Sequence, residues 1–314
     1  MTIDVHAHAV IPRYHQLLAD SGVAIPGYGK GAPPGLTATV EDARIGLMDE
    51  AGVERQLLSA MFAPYLTDDT AAVRAARCIN HAHAEMVDNH PNRLSAYAAL
   101  PLPHIDATLT ELERCLDELG MIGVALHCSC LGESVVAERF DPLYEELNRR
   151  RAVVFFHPCV NGLCSPLVTA WGLSATAGAV FEDTTIALHL IVQRIPDRFP
   201  DITFVIPHLG GALPMLLNRL DNQLPMSWPE LIEKPSDTAR GFYYDTVAHG
   251  SSAALRCAVD AFGADRILPG SDYPVLLPFE SYCDTLDYIR RAGLPEAALN
   301  SIMSTNAKIA FGEA

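Results

Sequence analysis

Positive charge is scarce in this sequence. Lys and Arg together number 22 against 38 Asp and Glu, a formal charge of −16. A surface with that balance repels phosphate backbones and anionic lipid, so neither nucleic acid nor a membrane is an expected partner. If the substrate is itself an anion, a local positive element, a metal or a placed arginine, must overcome that field. The N-terminus lacks a basic stretch followed by an apolar one, and Met1-Thr2-Ile3-Asp4-Val5 already reads as a strand, so no secretory leader is expected. No uncharged apolar run reaches the ~18–20 residues that span a bilayer. The Gly-rich turn of a dinucleotide-binding sheet is missing after that first strand, which runs instead into His6-Ala7-His8 and Ile11-Pro12. The eight cysteines (78, 115, 128, 130, 159, 164, 257 and 283) are scattered through apolar segments and show no framework. They read as reduced thiols, which points to the cytoplasm.

What is present is a long, apolar chain. Its 314 residues are 49% hydrophobic and 19% charged, enough to bury a sizeable core and to exclude global disorder. The length suits two ordinary domains or one large α/β barrel. Short apolar runs near 2–7, 54–60, 94–99, 121–127, 152–157, 202–207, 241–246 and 266–270 read as eight strands. Helix-period segments alternate with them near 40–51, 69–89, 106–119, 139–150, 178–195, 211–221 and 252–262, with further helices near 279–292 and 295–311. That alternation predicts parallel βαβ units, and eight units predict a (β/α)8 TIM barrel, a single domain over 1–314. Two loop insertions interrupt the pattern. Residues 21–38, with five Gly and three Pro, follow strand one, and residues 158–176 follow strand five. Both fall on the side of a barrel where pockets are built.

The chemistry gathers at strand ends. Residues i and i+2 of a strand share a face, so His6 and His8 aim two imidazoles at one point. His157 ends Val153-Val154-Phe155-Phe156, His208 ends Thr203-Phe204-Val205-Ile206-Pro207, and Asp272 follows Ile267-Leu268-Pro269-Gly270-Ser271. The C-terminal ends of barrel strands converge on one mouth, so these five residues from strands one, five, six and eight predict a shared metal site. Three imidazoles and a carboxylate leave a coordination position open, the mark of a catalytic rather than a structural centre. Such N/O donors suit Zn2+ and tolerate Mn2+ or Fe2+. A bridging lysine at strand four or five, which a second metal would need, is missing, so one ion is expected. A second H-x-H, His81-Ala82-His83, sits in a helix-period segment, where i and i+2 diverge, and reads as surface or structural polarity. His127-Cys128-Ser129-Cys130 lacks the partner Cys pair of a zinc knot and reads as pocket wall.

These positions carry a family resemblance over nearly the whole chain. Ile3-Asp4-Val5-His6-Ala7-His8, the stretch Arg44 to Val53, Phe156-His157-Pro158, the segment Thr185 to Pro200, Pro207-His208-Leu209-Gly210-Gly211-Ala212-Leu213-Pro214 and Gly270-Ser271-Asp272-Tyr273-Pro274 resemble the amidohydrolase superfamily. The likeness is to its metal-dependent decarboxylase branch, which acts on aminocarboxymuconate semialdehyde, 6-methylsalicylate and γ-resorcylate. The resemblance implies that His6, His8, His157 and Asp272 hold one divalent metal, zinc ahead of manganese. It implies His208 as general base or acid, and Arg44 as a bidentate clamp on a substrate carboxylate. A surface ion pair with Glu41 or Asp49 is the other reading of Arg44. It also implies a homodimer or higher assembly, with residues 212–240 near a neighbour. One departure matters. Where a muconate-specific member carries a second arginine, this chain reads Pro225-Met226-Ser227-Trp228-Pro229-Glu230, which favours an aromatic acid over a two-carboxylate muconate.

The expected activity is therefore non-oxidative decarboxylation of a hydroxylated aromatic acid of salicylate or orsellinate type, or a related unsaturated acid, with His208 or Asp272 delivering the proton. A lactone or amide hydrolase using the same metal and His208 is the alternative. A metal-stabilised binding protein is the non-enzymatic reading.

Overall fold

The structure is a computed structural model that describes residues 2–23 and 41–313. Eight strands follow one another around a single sheet. They are β1 (Thr2–His8), β2 (Val53–Ser59), β3 (Leu94–Ala99), β4 (Gly123–His127), β5 (Val153–His157), β6 (Thr203–Ile206), β7 (Tyr243–Asp245) and β8 (Ile267–Leu268). Each pairs in parallel with the next. The seam between last and first closes through the backbone: Val5 N donates to Pro269 O at 2.9 Å, Asp272 N to His6 O at 2.8 Å and His8 N to Tyr273 O at 2.6 Å. This is the expected (β/α)8 barrel.

The strands are buried on both faces, as parallel strands covered by helices must be, which is why they read as unbroken apolar runs. Inside the barrel, Ile3, Val5, Leu57, Tyr97, Ala125, Val153, Phe155, Val205, Tyr243 and Leu268 form one cluster. Alternate residues such as Leu58, Val124, Leu126, Val154, Phe156, Phe204 and Ile206 face the helices. The longer helices around the sheet are α1 (Pro12–Asp20), α2 (Glu41–Ala51), α3 (Asp69–Asn89), α4 (Ile105–Glu113), α5 (Asp141–Arg149), α6 (Ala179–Val192), α7 (Leu213–Ser227), α8 (Ser252–Phe262) and α9 (Tyr282–Arg290).

One irregularity positions the site. Along β1, Asp4 pairs with Gln56 but Ala7 pairs with Leu58, so β1 carries one extra residue there. Such a bulge shifts the two-residue alternation. Ile3 and Val5 fill the barrel below it, and His6 and His8 point into the mouth above it.

Some elements differ from expectation. Helix α1 is not among the expected helices, and Pro12 stands at its first turn. Most of the expected loop 21–38 lies outside the described residues. The segment 158–176 is partly helical, with Gly162–Cys164 and Pro166–Thr169 as short turns. A two-residue hairpin, Ser129–Cys130 with Glu133–Ser134, was not foreseen. The stretch Ser174–Val192 is long and apolar enough to cross a bilayer by length and composition, yet half of it is buried in the barrel. It also carries Glu182 and Asp183, both buried.

Candidate metal centre

His6, His8, His157 and Asp272 bring one ligand atom each within 4.8 Å of one another, and all four residues are buried. His6 Nε2 lies 3.2 Å from His8 Nε2, and Asp272 Oδ1 lies 3.1 Å from His8 Nε2 and 3.5 Å from His6 Nε2. The other nitrogen of each imidazole is occupied. His6 Nδ1 donates to Asp245 Oδ2 at 2.7 Å, His8 Nδ1 meets Ser59 Oγ at 3.0 Å, and His157 Nδ1 donates to Pro158 O at 3.0 Å. Acceptors on Nδ1 fix the tautomer that leaves an Nε2 lone pair facing the centre. Three such lone pairs and a carboxylate oxygen pressed together repel unless a cation lies among them, so the donor set fits a divalent metal. Burial pushes His8 and His157 below the usual imidazole range, His157 far below it. Both are then neutral, as a ligand must be. Burial opposes ionisation of Asp272, but His6 and His8 outweigh it and hold the carboxyl below its usual range.

A second layer holds these groups. Buried Asp4 accepts from Gln56 Nε2 at 2.7 Å, Tyr282 OH at 2.8 Å, Ser271 Oγ at 2.5 Å and Ser271 N at 3.0 Å. It thereby ties β1 to the turn that carries Asp272, itself in the left-handed region at φ 53°. Asp245, at the end of β7, accepts from His6 on one oxygen and from the backbone N of His208 and Val247 on the other, at 2.8 and 3.0 Å.

His208 stands beside the cluster, its ring centroid 5.3 Å from that of His6. It opens a turn in which His208, Leu209, Gly210 and Gly211 all have positive φ. A Cβ on Gly211 would lie 2.0 Å from Val180 O, so α6 can approach only a glycine there. The return is the pairing of His208 Nδ1 with Asp183 Oδ2 of α6 at 2.8 Å. Burial opposes the imidazolium, but Asp183 overcomes it and pushes His208 up to about 9. Burial also raises Asp183 itself, to about 6. One residue earlier, Glu182 accepts backbone N–H bonds from Asn161 and Gly162 at 2.9 Å and from Cys159, fastening the loop after β5.

The structure thus gathers five of the six expected site residues in one cluster and places the sixth, Arg44, beneath it. Arg44 is 1% exposed, which excludes a surface ion pair. Its Nη2 donates to the His8 carbonyl at 2.6 Å, its Nη1 donates to Gln56, and its Cζ lies 4.5 Å over the Tyr273 ring. Helix α2 packs Arg44 beneath the mouth, where its guanidinium secures the bulged end of β1 and, through Gln56, Asp4. Asp245, Asp183, Gln56 and Glu182 escaped the sequence reading. A polar residue ending strand seven, and two adjacent acids inside an apolar helix, were the available signals. His81 of the second H-x-H is exposed beside Glu85, whereas His83 is buried and pushed down to about 3 by burial. Cys128 and Cys130 lie in the core, and among the described residues they join no metal-competent cluster.

The sequence profile of the amidohydrolase family matches residues 3–312. A γ-resorcylate decarboxylase of Rhizobium sp. strain MTP-10005 is 28% identical over 331 residues, covering 98% of this chain and 97% of its own length. A 2-keto-4-carboxy-3-hexenedioate hydratase of Sphingobium sp. strain SYK-6 is 29% identical over 294 residues, covering 87% of this chain and 83% of its own. Among solved structures, a dihydroxybenzoic acid decarboxylase of Polaromonas sp. JS666, with bound manganese and the inhibitor 2-nitroresorcinol, superposes with a TM-score of 0.84 at 26% identity. The match covers 99% of this chain and 96% of that one.

Proposed function

The chain belongs to the amidohydrolase family, and from that premise we propose that it is a metal-dependent carboxy-lyase. It removes CO2 without oxidation from a hydroxylated aromatic acid of the salicylate or orsellinate type. The observation that carries the reading is the convergence of four ligand atoms within 4.8 Å beside the His208–Asp183 pair. The chain around them matches a γ-resorcylate decarboxylase end to end.

When bound, the divalent ion supplies Lewis acidity, holding the carboxylate and offsetting charge on the phenolic oxygen. The remaining work falls to the chain. His6, His8, His157 and Asp272 hold the ion. Asp183 occupies Nδ1 of His208, leaving Nε2 as the edge that can serve a substrate. His208 donates that proton to the ring carbon bearing the carboxylate. The carbon–carbon bond then breaks, its electron pair returns to the ring, and CO2 departs. Asp183 steadies the imidazolium before transfer, and Asp272 stays ionised as a ligand. Zinc is our first choice of ion, because imidazole-rich sites bind it more tightly than manganese. The manganese in the Polaromonas structure makes that ion the competitor. Elemental analysis of purified protein decides.

The test is CO2 release from a panel of hydroxybenzoates, with and without chelator and with Asp272→Asn. Wild type should release CO2 from at least one acid, and both treatments should abolish it. Turnover that survives both sinks the metal reading. The Sphingobium relative supports a second reading, addition of water to an unsaturated acid. Loss of an unsaturated acid without CO2 would favour it, and loss of a lactone or amide without CO2 would favour hydrolysis. We further propose a homodimer, supported by Met215, Met226 and Ile232, exposed at 80%, 84% and 73% within the 212–240 region. Light scattering should give twice the mass of one chain. The eight cysteines are all free thiols, which supports a place in the cytoplasm.

A further inference from the structure

The wall at His127-Cys128-Ser129-Cys130 contains a group that the chemistry above does not use. His127 ends β4 directly opposite His157 at the end of β5. Residues paired across adjacent parallel strands project to the same side, so both rings face the barrel mouth. Their centroids are 5.2 Å apart, and His157 in turn lies 4.7 Å from His8. His127 is therefore one ring removed from the metal cluster, and it is 3% exposed.

Its two nitrogens are treated differently. Nε2 donates to Met61 O at 3.2 Å. A neutral imidazole that carries its hydrogen on Nε2 presents a bare lone pair on Nδ1. Nδ1 is buried, and among the described residues no hydrogen-bond partner reaches it. Buried acceptors are nearly always satisfied, and this one belongs to a ring packed edge-on against the metal-ligand candidate His157, so a donor brought by a ligand at that centre would complete it. A carboxylate cannot be that donor, because two acceptors repel. A phenolic hydroxyl can, and a hydroxylated aromatic acid brings both groups: the carboxylate for the cation and a hydroxyl for the wall.

We propose that His127 Nδ1 accepts a hydrogen bond from a ring hydroxyl of the substrate and so selects among hydroxylated aromatic acids. The proposal rests on the decarboxylase reading. It gives the chain a specificity element on β4, a strand that contributes nothing to the metal.

Two isosteres separate this role from a structural one. His127→Asn keeps an acceptor where Nδ1 stood and gives up the Met61 contact. His127→Gln keeps a donor for Met61 and deletes the Nδ1 acceptor. The measurement is kcat/KM for 2-hydroxybenzoate and for the 2,3-, 2,4-, 2,5- and 2,6-dihydroxy acids. At least one dihydroxy acid should exceed 2-hydroxybenzoate in wild type. That advantage should shrink about fivefold to tenfold in His127→Gln and return in His127→Asn. A structural role predicts the reverse order, with Gln the better substitute and every acid lowered by one factor, and that result overturns the proposal. If wild type releases no CO2 from any acid, the decarboxylase reading fails. The affinities of the same five acids, titrated calorimetrically into wild type and both variants, then decide on His127 by the same ratios, and absence of binding overturns it.

Discussion

Asp245 serves three donors at once: the imidazole of His6 at 2.7 Å and the backbone N–H groups of His208 and Val247. A single carboxylate therefore sets both the tautomer of His6 and the placement of His208. In Asp245→Asn the amide presents hydrogens to one of these sites, and the His6 tautomer is no longer enforced. Metal retention should weaken about ten- to a hundredfold, read by elemental analysis after dialysis against graded chelator. The His208–Asp183 pair makes a second prediction, for metal-depleted protein. His208 is raised from 6.5 to about 9, so its stabilising contribution is full below pH 6.5 and is lost as pH rises through about 9. Asp183, raised from 3.8 to about 6, has the opposite sign, and its cost is complete above about pH 6. Burial opposes the His6 imidazolium, but Asp245 and Asp272 raise His6 as well, so His208 and His6 both lose their contribution as pH rises above 6.5, and melting temperature should fall in wild type. The fall should be shallower in the double variant His208→Gln, Asp183→Asn, which removes both members of the pair. At this scale the sequence exposed the cluster of His6, His8, His157 and Asp272, because imidazoles at strand ends have few other reasons to recur. It hid their supports, because an acid such as Asp183 on a helix announces nothing until the helix is docked. The burial of Arg44 was hidden for the same reason: helix periodicity does not say which polar residue on α2 turns inward.

Among the elements, the turn from His208 to Gly211 is the most constrained. Gly211 has φ 62° and abuts Val180 O and Thr184 Oγ1. Gly211→Ala should cost more than about 2 kcal/mol in chemical denaturation, since it meets both a backbone carbonyl and a disfavoured φ. Activity should fall further than stability, because the shift displaces His208. The strands were legible to within two residues at most termini, since double-sided burial makes them continuous apolar runs between turn residues. The bulge in β1 was not. Alternation correctly placed His6 and His8 on one face, but the extra residue that lets Val5 and His6 both serve the interior leaves no mark in composition. Helix α1 was missed because its nine residues, PRYHQLLAD, bury only Tyr14, His15 and Leu18.

Across the whole molecule, charge and closure meet at one point. A protein of formal charge −16 concentrates four ligand atoms, Asp183 and Asp245 around one point, and the substrate proposed for it is itself an anion. A divalent ion there would supply the positive charge that the chain lacks. Removing it should slow turnover and also loosen the barrel. At metal concentrations a thousandfold above Kd, binding adds about 4 kcal/mol to stability, and chelation should lower the melting midpoint by about 5–10 °C in calorimetry. The ligands are drawn from β1, β5 and the turn after β8, and His8 and Asp272 are 264 residues apart. The two lips of the barrel seam thus share one ion. A ribosome must deliver nearly the entire polypeptide before the fourth donor exists, so metal acquisition doubles as an audit of completeness: a nascent or proteolytically shortened chain can display H-x-H but cannot assemble the full donor set, and it forfeits catalysis along with the clasp that keeps the seam shut.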